Sequence, residues 1–214
     1  MEFDTCLRLL SKISNLPLPG KNAQFMMAPM ERVKEFSHLD IEKLNPRRAG
    51  VMVLLYPDQK QVTKMILILR KTYKGVHSNQ VGFPGGKVED EDRDMLDTAL
   101  RETEEEIGVA RHKITVVKEM TTSYIPPSNF FVYPFLGYST SPLDFVAQEE
   151  EVEGLIEVTL EDFLSDTAVI SKKMSTSYMD DIDVPAFFLN GHVVWGATAM
   201  MLNEVKVLLL SGQE

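Results

Sequence analysis

Apolar positions along the chain fall into runs of two different periods, and the periods predict the elements. Phe3, Cys6, Leu9, Leu10 and Ile13 recur at helical spacing, so residues 3–14 predict a helix. The breaker cluster Leu16-Pro17-Leu18-Pro19-Gly20 ends it. Residues 21–46 read as a connecting region with a short helix after Pro29. Two apolar runs, 50–56 (GVMVLLY) and 63–69 (TKMILIL), stand on either side of a Pro57-Asp58 turn and predict neighbouring strands. Residues 71–87, with Gly75, Gly82, Pro84, Gly85 and Gly86, read as a loop. A helix is expected from about Arg93 to Ile107, stopped by Gly108. Strands follow over 113–121, 130–137 and 151–158, then a short helix over 160–164. The end reads as a strand over 184–188, an Asn190-Gly191 turn, a strand over 192–195 and a helix over 197–210. This order predicts an α+β fold, an αβα sandwich around a mixed sheet. Residues 1–45 form an N-terminal helical extension and 46–214 the main domain.

Charge narrows the functional classes. Against 22 basic residues stand 32 acidic ones, a formal net charge of -10, which disfavours nucleic acid as a partner. A phosphorylated small molecule stays admissible, because a bound divalent cation inverts the local field. The single cysteine, Cys6, cannot form an intramolecular disulfide and fits a packing role in a reducing compartment. No signal peptide, peroxisomal or retention signal is evident, and the apolar stretch VKVLLL is too short to span a bilayer. The expectation is a cytoplasmic protein with no membrane partner. The 12 methionines read mostly as core gap-fillers.

Candidate chemistry lies in residues 85–109, GGKVEDEDRDMLDTALRETEEEIGV. On a helical wheel, Met95, Leu96, Ala99, Leu100, Thr103 and Ile107 fall within about 140° and form a core-facing stripe. Glu102, Glu105 and Glu106 fall within about 100° of each other beside that stripe. Like charges at spacings of three and four repel, and folding has no need of them there. A hard divalent cation, Mg²⁺ or Mn²⁺, relieves the repulsion through oxygen ligands. The glycine pair ahead of the helix lets backbone approach a ligand.

The segment resembles the Nudix box, G-x5-E-x7-R-E-U-x-E-E-x-G-U with U aliphatic. Gly86, Arg101-Glu102, Glu105-Glu106 and Gly108-Val109 match. Asp92 stands for the box's first glutamate with one extra residue before Arg101, and Thr103 takes an aliphatic place. Asp92, or after it Glu89, is expected to brace Arg101. Upstream, Leu69-Arg70, His77, Gln80-Val81 and Phe83-Pro84-Gly85-Gly86 resemble the added motif of the coenzyme A pyrophosphatase subfamily, with Asn79 in place of a usual glycine. Val184-Pro185-Ala186-Phe187 and Trp195-Gly196-Ala197-Thr198-Ala199 resemble that subfamily's C-terminal pattern.

The resemblance implies a Nudix sandwich and hydrolysis of the diphosphate in coenzyme A or an acyl-coenzyme A. It implies Glu102, Glu105 and Glu106 as ligands of Mg²⁺ or Mn²⁺, and Arg101 as their orienting partner. Glu105 or Glu151 would be the general base, and Arg70, His77, Gly85 and Gly86 would contact substrate. Two other readings stay open: the same chemistry on ADP-ribose, a dinucleotide or a nucleoside triphosphate, and a non-catalytic module that senses coenzyme A or a nucleotide. Trp195 is expected as a core or interface anchor, and the Ser123-Tyr124 and Pro126-Pro127 loop as a cleft lining. Residues 1–24 have two candidate roles, a dimer contact giving a homodimer or a wall of the cleft.

Overall fold

The computed structural model describes residues 1–36, 41–71, 80–174 and 182–213. In chain order the elements are α1 (Phe3–Ile13), α2 (Gly20–Phe25), α3 (Met30–Phe36), β1 (Arg47–Pro57), β2 (Thr63–Arg70), β3 (Val81–Gly82), β4 (Gly85–Lys87) and α4 (Met95–Ile107). There follow β5 (Thr115–Glu119), β6 (Ser123–Ile125), β7 (Phe130–Tyr138), β8 (Val152–Thr159), α5 (Leu160–Leu164), β9 (Val169–Met174), β10 (Ile182–Leu189), β11 (His192–Val194) and α6 (Gly196–Ser211).

Strand β1 organises the molecule. It pairs antiparallel with β2 and parallel with β7, which makes the main sheet mixed. The sheet runs β3-β2-β1-β7-β5, with β4 added to β1, β6 to β7 and β8 to β2. A parallel β1–β7 pair needs a long crossover, and the segment holding α4 supplies it. Alternate side chains of β1 leave by opposite faces. Val51, Val53 and Leu55 join one core with Met65 and Leu67, together with α1 and α6 residues such as Leu9, Ile13, Leu202 and Leu209. Met52, Leu54 and Tyr56 join the other with Ile66, Ile68, Ala99 and Ile107 of α4. Both faces of the strand are covered, which is why its sequence reads as an unbroken apolar run. The result is an αβα sandwich, with a second antiparallel sheet β11-β10-β9 beside it. Among the described residues no helix is long and apolar enough to cross a membrane.

The differences from the sequence reading have local causes. Helix α2 begins directly after Pro19, so the expected breaker cluster also starts a helix; proline is tolerated at that end, where the missing N–H costs no intrahelical bond. Helix α4 begins at Met95 rather than near Arg93, because Asp94 is extended and its side chain caps the Asp97 N–H at 2.8 Å. Gly108 closes that helix in the left-handed region at φ 72°. Strands β3, β4 and β6 are too short to show a period, and β9 carries Ser171, Lys172 and Lys173 where alternation would need apolar residues.

Helix α4 approaches β1 unusually closely at Gly50. A Cβ there would lie 2.4 Å from the Met95 carbonyl oxygen and 2.8 Å from the Ala99 nitrogen, both backbone atoms. Gly50→Ala is therefore expected to push α4 off the sheet and destabilise the protein by about 2–3 kcal/mol, as overpacking does. A thermal melt checks it; an unchanged Tm would show that the helix can shift freely.

Candidate active site

The C-terminal half of α4 carries the acidic cluster, and β4 runs beside it. Glu106 is buried, 1% exposed, although it is charged in water. Its carboxylate accepts the Gly85 N–H at 2.8 Å and an Arg70 guanidinium N–H at 3.2 Å. Arg70 also donates to the Gly85 carbonyl at 2.6 Å, so one arginine ties β2, β4 and α4 together. Burial pushes the Glu106 carboxyl up to about 7, against the lowering effects of Arg70 and the Gly85 N–H; Glu102 and Glu151 push it further up.

Arg101 is also buried. It grips Asp92 with two hydrogen bonds, Nε to Oδ1 at 2.8 Å and Nη2 to Oδ2 at 2.9 Å. Its Nη1 donates to Glu102 at 3.0 Å and to Glu105 at 3.0 Å, and its Nη2 to the Lys87 carbonyl at 3.0 Å. Asp92 therefore takes the bracing position in preference to Glu89, whose backbone N–H donates to Asp92 at 2.9 Å. The Arg101 guanidinium holds the Asp92 carboxyl well below the usual carboxylate range. Burial raises Glu102, with Glu105 and Glu151 adding to the shift and Arg101 opposing it. Glu105 stands at the rim, its side chain 51% exposed.

Two glycines give the cluster its shape. Gly85 sits at φ 148°, and a Cβ there would lie 2.4 Å from the Gly50 carbonyl oxygen. At Gly86 a Cβ would lie 2.4 Å from the Glu102 carboxylate. A side chain at Gly86 would fill the space in front of the acids, and one at Gly85 would collide with the backbone of β1. Glu151 comes from the segment that leads into β8. The Val146 N–H donates to Ile107 O and the Gln148 N–H to Glu106 O, each at 3.0 Å, tying residues 146–148 to the end of α4. The Lys71 N–H holds Glu151 O at 2.9 Å. Glu151 is exposed, yet its charge raises both Glu102 and Glu106, so it faces the same space. His77 lies outside the described residues.

Glu102, Glu105 and Glu151 border a cavity of about 720 Å³, and Glu106 lies buried beneath Arg70. Arg70, Gly85, Gly86, Arg101, Glu102, Glu105 and Glu151 all line it, within the 300–1,000 Å³ typical of small-molecule sites. Tyr124, Pro126 and Pro127 line it as well, and so does Trp195, which the sequence reading placed as a core or interface anchor. Several lining residues were not singled out from sequence: Gln148, Lys87, Arg32 and Met27. Gln148 alone had a signal, its place in the polar run before Val152.

Glutamate oxygens are the ligand type that hard divalent cations take. Burial and mutual repulsion raise Glu102 and Glu106, and an added positive charge would relieve that strain. The donor set therefore fits such a cation. Among the described residues no three acidic, histidine or cysteine side chains stand ready around one point. Glu102 and Glu105 are turned onto Arg101, and Glu106 onto Arg70.

Comparison with known proteins agrees with this geometry. The NUDIX domain family matches residues 46–178. A peroxisomal coenzyme A diphosphatase of Caenorhabditis elegans is 28% identical over 85% of this chain and 76% of its own length. An uncharacterized Nudix hydrolase, NudL, of Yersinia pestis is 28% identical over 74% of this chain and 78% of its own. Among solved structures, a Nudix hydrolase of M. smegmatis, RenU, superposes with a TM-score of 0.51 at 15% identity, over 78% of this chain and 87% of that one.

Proposed function

The chain belongs to the Nudix family, whose members hydrolyse diphosphate bonds, and from that premise we propose that its substrate is coenzyme A or an acyl-coenzyme A. The products would be 3′,5′-ADP and 4′-phosphopantetheine or its acyl form. The observation that carries the reading is the meeting of Arg70, Arg101 and three glutamates, 102, 105 and 151, on one cavity, with the buried Glu106 paired to Arg70. Support for coenzyme A comes from the Leu69–Gly86 pattern and from the diphosphatase relative.

Nudix enzymes generally need divalent metal ions. Here Glu102, Glu105 and Glu106 would hold Mg²⁺ or Mn²⁺, which lowers the pKa of a bound water and neutralises diphosphate oxygens. Arg101 keeps Glu102 and Glu105 together on one guanidinium and is a positioning residue. Glu105 or Glu151, both open to solvent, accepts the proton of the attacking water. Arg70 is close enough to the cavity to pair with a phosphate oxygen, which its fork geometry suits. The backbone of Gly85 and Gly86 admits the diphosphate close to the acids. His77 is assigned a phosphate contact from the sequence pattern alone.

Turnover of coenzyme A, ADP-ribose and a dinucleotide with Mg²⁺ or Mn²⁺, and with Glu106→Gln as blank, tests the reading. Release of 3′,5′-ADP from coenzyme A alone is the expected result. Cleavage of another diphosphate alone would keep the chemistry and discard the substrate. Tight binding of coenzyme A without turnover would discard the catalytic reading.

A further inference from the structure

Two arginines meet the acids of the cavity, and they are held very differently. The Arg101 side chain is 10% exposed and bonds to Asp92, Glu102, Glu105 and the Lys87 carbonyl. The Arg70 side chain is 24% exposed, and among the described residues it bonds only to Glu106 and the Gly85 carbonyl. Its bond to Glu106 is the longer of the two, 3.2 Å against 2.6 Å. Arg70 has far less to lose than Arg101 on changing partner.

The backbone aims Arg70 at this place. By the period of two along β2 it follows Ile66 and Ile68, which pack on the α4 side of the sheet. Between Leu69 and Arg70 the pairing with β8 slips, so that Leu69 faces Gly154 and Arg70 faces Val152. Such a bulge re-aims a side chain. The Arg70 N–H donates to Gln80 O at 3.0 Å, and the Lys71 N–H to Glu151 O at 2.9 Å. The backbone is thus pinned on both sides, while Arg70 lines the cavity.

Glu106 needs a positive partner, because an uncompensated buried carboxylate is costly. Its Oε2 accepts the Gly85 N–H and its Oε1 the Arg70 N–H. A divalent cation taken by Glu106 supplies the same compensation with more charge, and it repels the guanidinium beside it. An oxygen of a diphosphate in the cavity is then the partner that the guanidinium fork suits.

We infer that Arg70 exchanges partners: it stands in for the divalent cation on Glu106 in the metal-free protein and passes to the substrate diphosphate when the cation binds. This differs from a fixed phosphate contact, because it makes Arg70 a competitor of the metal. The inference rests on the reading of Glu106 as a metal ligand, and it holds whichever diphosphate is the substrate.

The test is binding to wild type, Arg70→Gln and Arg70→Lys at pH 8. Mn²⁺ alone is titrated by electron paramagnetic resonance, and inorganic pyrophosphate in excess Mn²⁺ by calorimetry. In Arg70→Gln, Mn²⁺ is expected to bind about three- to tenfold more tightly, because a competing charge is gone. Pyrophosphate is expected to bind about tenfold more weakly, because a charge-assisted hydrogen bond is lost. These opposite signs identify a shared arginine. A fixed tie between β2, β4 and α4 would instead loosen the acids on removal, so equal or weaker Mn²⁺ binding in Arg70→Gln overturns the inference. Unchanged pyrophosphate binding does so as well. Arg70→Lys keeps the charge without the fork and should change both affinities in the same directions by less; if Arg70→Gln does not fold, weaker Mn²⁺ binding in Arg70→Lys overturns the inference. Wild type that binds no Mn²⁺ at all would overturn the metal assignment of Glu106 along with it.

Discussion

Arg101→Ala is expected to lower stability at neutral pH by about 3–5 kcal/mol, the cost of breaking a buried ion pair by removing one partner. For a chain of this size that is a fall in Tm of roughly 10 °C. The guanidinium answers three carboxylates and one carbonyl at once. Asp92 suffers most, because its side chain is 2% exposed and it would keep only the Thr98 hydroxyl and the Glu89 N–H. Arg101→Lys keeps the charge but cannot grip Asp92 with two parallel bonds, so an intermediate loss is expected. The pH dependence has a definite sign. The Asp92 carboxyl is depressed below its ordinary 3.8, so its contribution is full above that value and fades as pH falls through the acid range. The gap between wild type and Arg101→Ala should therefore be widest near neutrality and narrow in acid. Adding Asp92→Ala to Arg101→Ala should cost less than the sum of the two single losses, because the second change removes the stranded charge. A constant gap, or strict additivity, would place the stabilisation elsewhere than in this pair.

Much of this network was legible in the sequence, because the helix that carries it obeys local rules. The spacing of Ala99, Thr103 and Ile107 gives the buried stripe, and Gly108 gives the stop. The wheel does not foretell that Arg101 and Glu106 are buried as deeply as that stripe, while Met95, Leu96 and Leu100 stay half-exposed. Burial of a charge depends on partners far along the chain: Asp92 for Arg101, and Arg70 and Gly85 for Glu106. Gly50 is a similar case. Nothing in a strand of Val, Met and Leu marks its glycine as the point where a helix touches backbone. Least legible of all is the docking of α2 on α6, which rests on the buried Glu204 and its partners Gly20, Gln24 and Thr121, residues far apart along the chain.

Glu106→Gln is expected to lower kcat by about two to three orders of magnitude, the scale of losing one preorganised electrostatic contact to the reacting centre. Its effect on stability should run the other way. Burial raises the Glu106 carboxyl to about 7 from 4.5, so the folded protein favours the neutral form. Between those values the folded state binds more protons than the unfolded one, and stability from this group falls as pH rises through 7. Above 7 the metal-free protein holds a carboxylate that its surroundings solvate poorly. Glutamine is neutral, has the same shape and can still accept the Gly85 N–H, so metal-free Glu106→Gln should be at least as stable as wild type at pH 8. A bound cation reverses the balance for wild type, because it stabilises the carboxylate and competes with the proton. The rise in Tm on adding Mn²⁺ should therefore be larger at pH 8 than at pH 6 in wild type, and largely lost in Glu106→Gln. Melts of both proteins at both pH values, in chelator and in Mn²⁺, decide the matter. An equal Mn²⁺ response in the two proteins would remove Glu106 from the metal site, and a much less stable metal-free Glu106→Gln at pH 8 would make Glu106 a structural acid paired with Arg70.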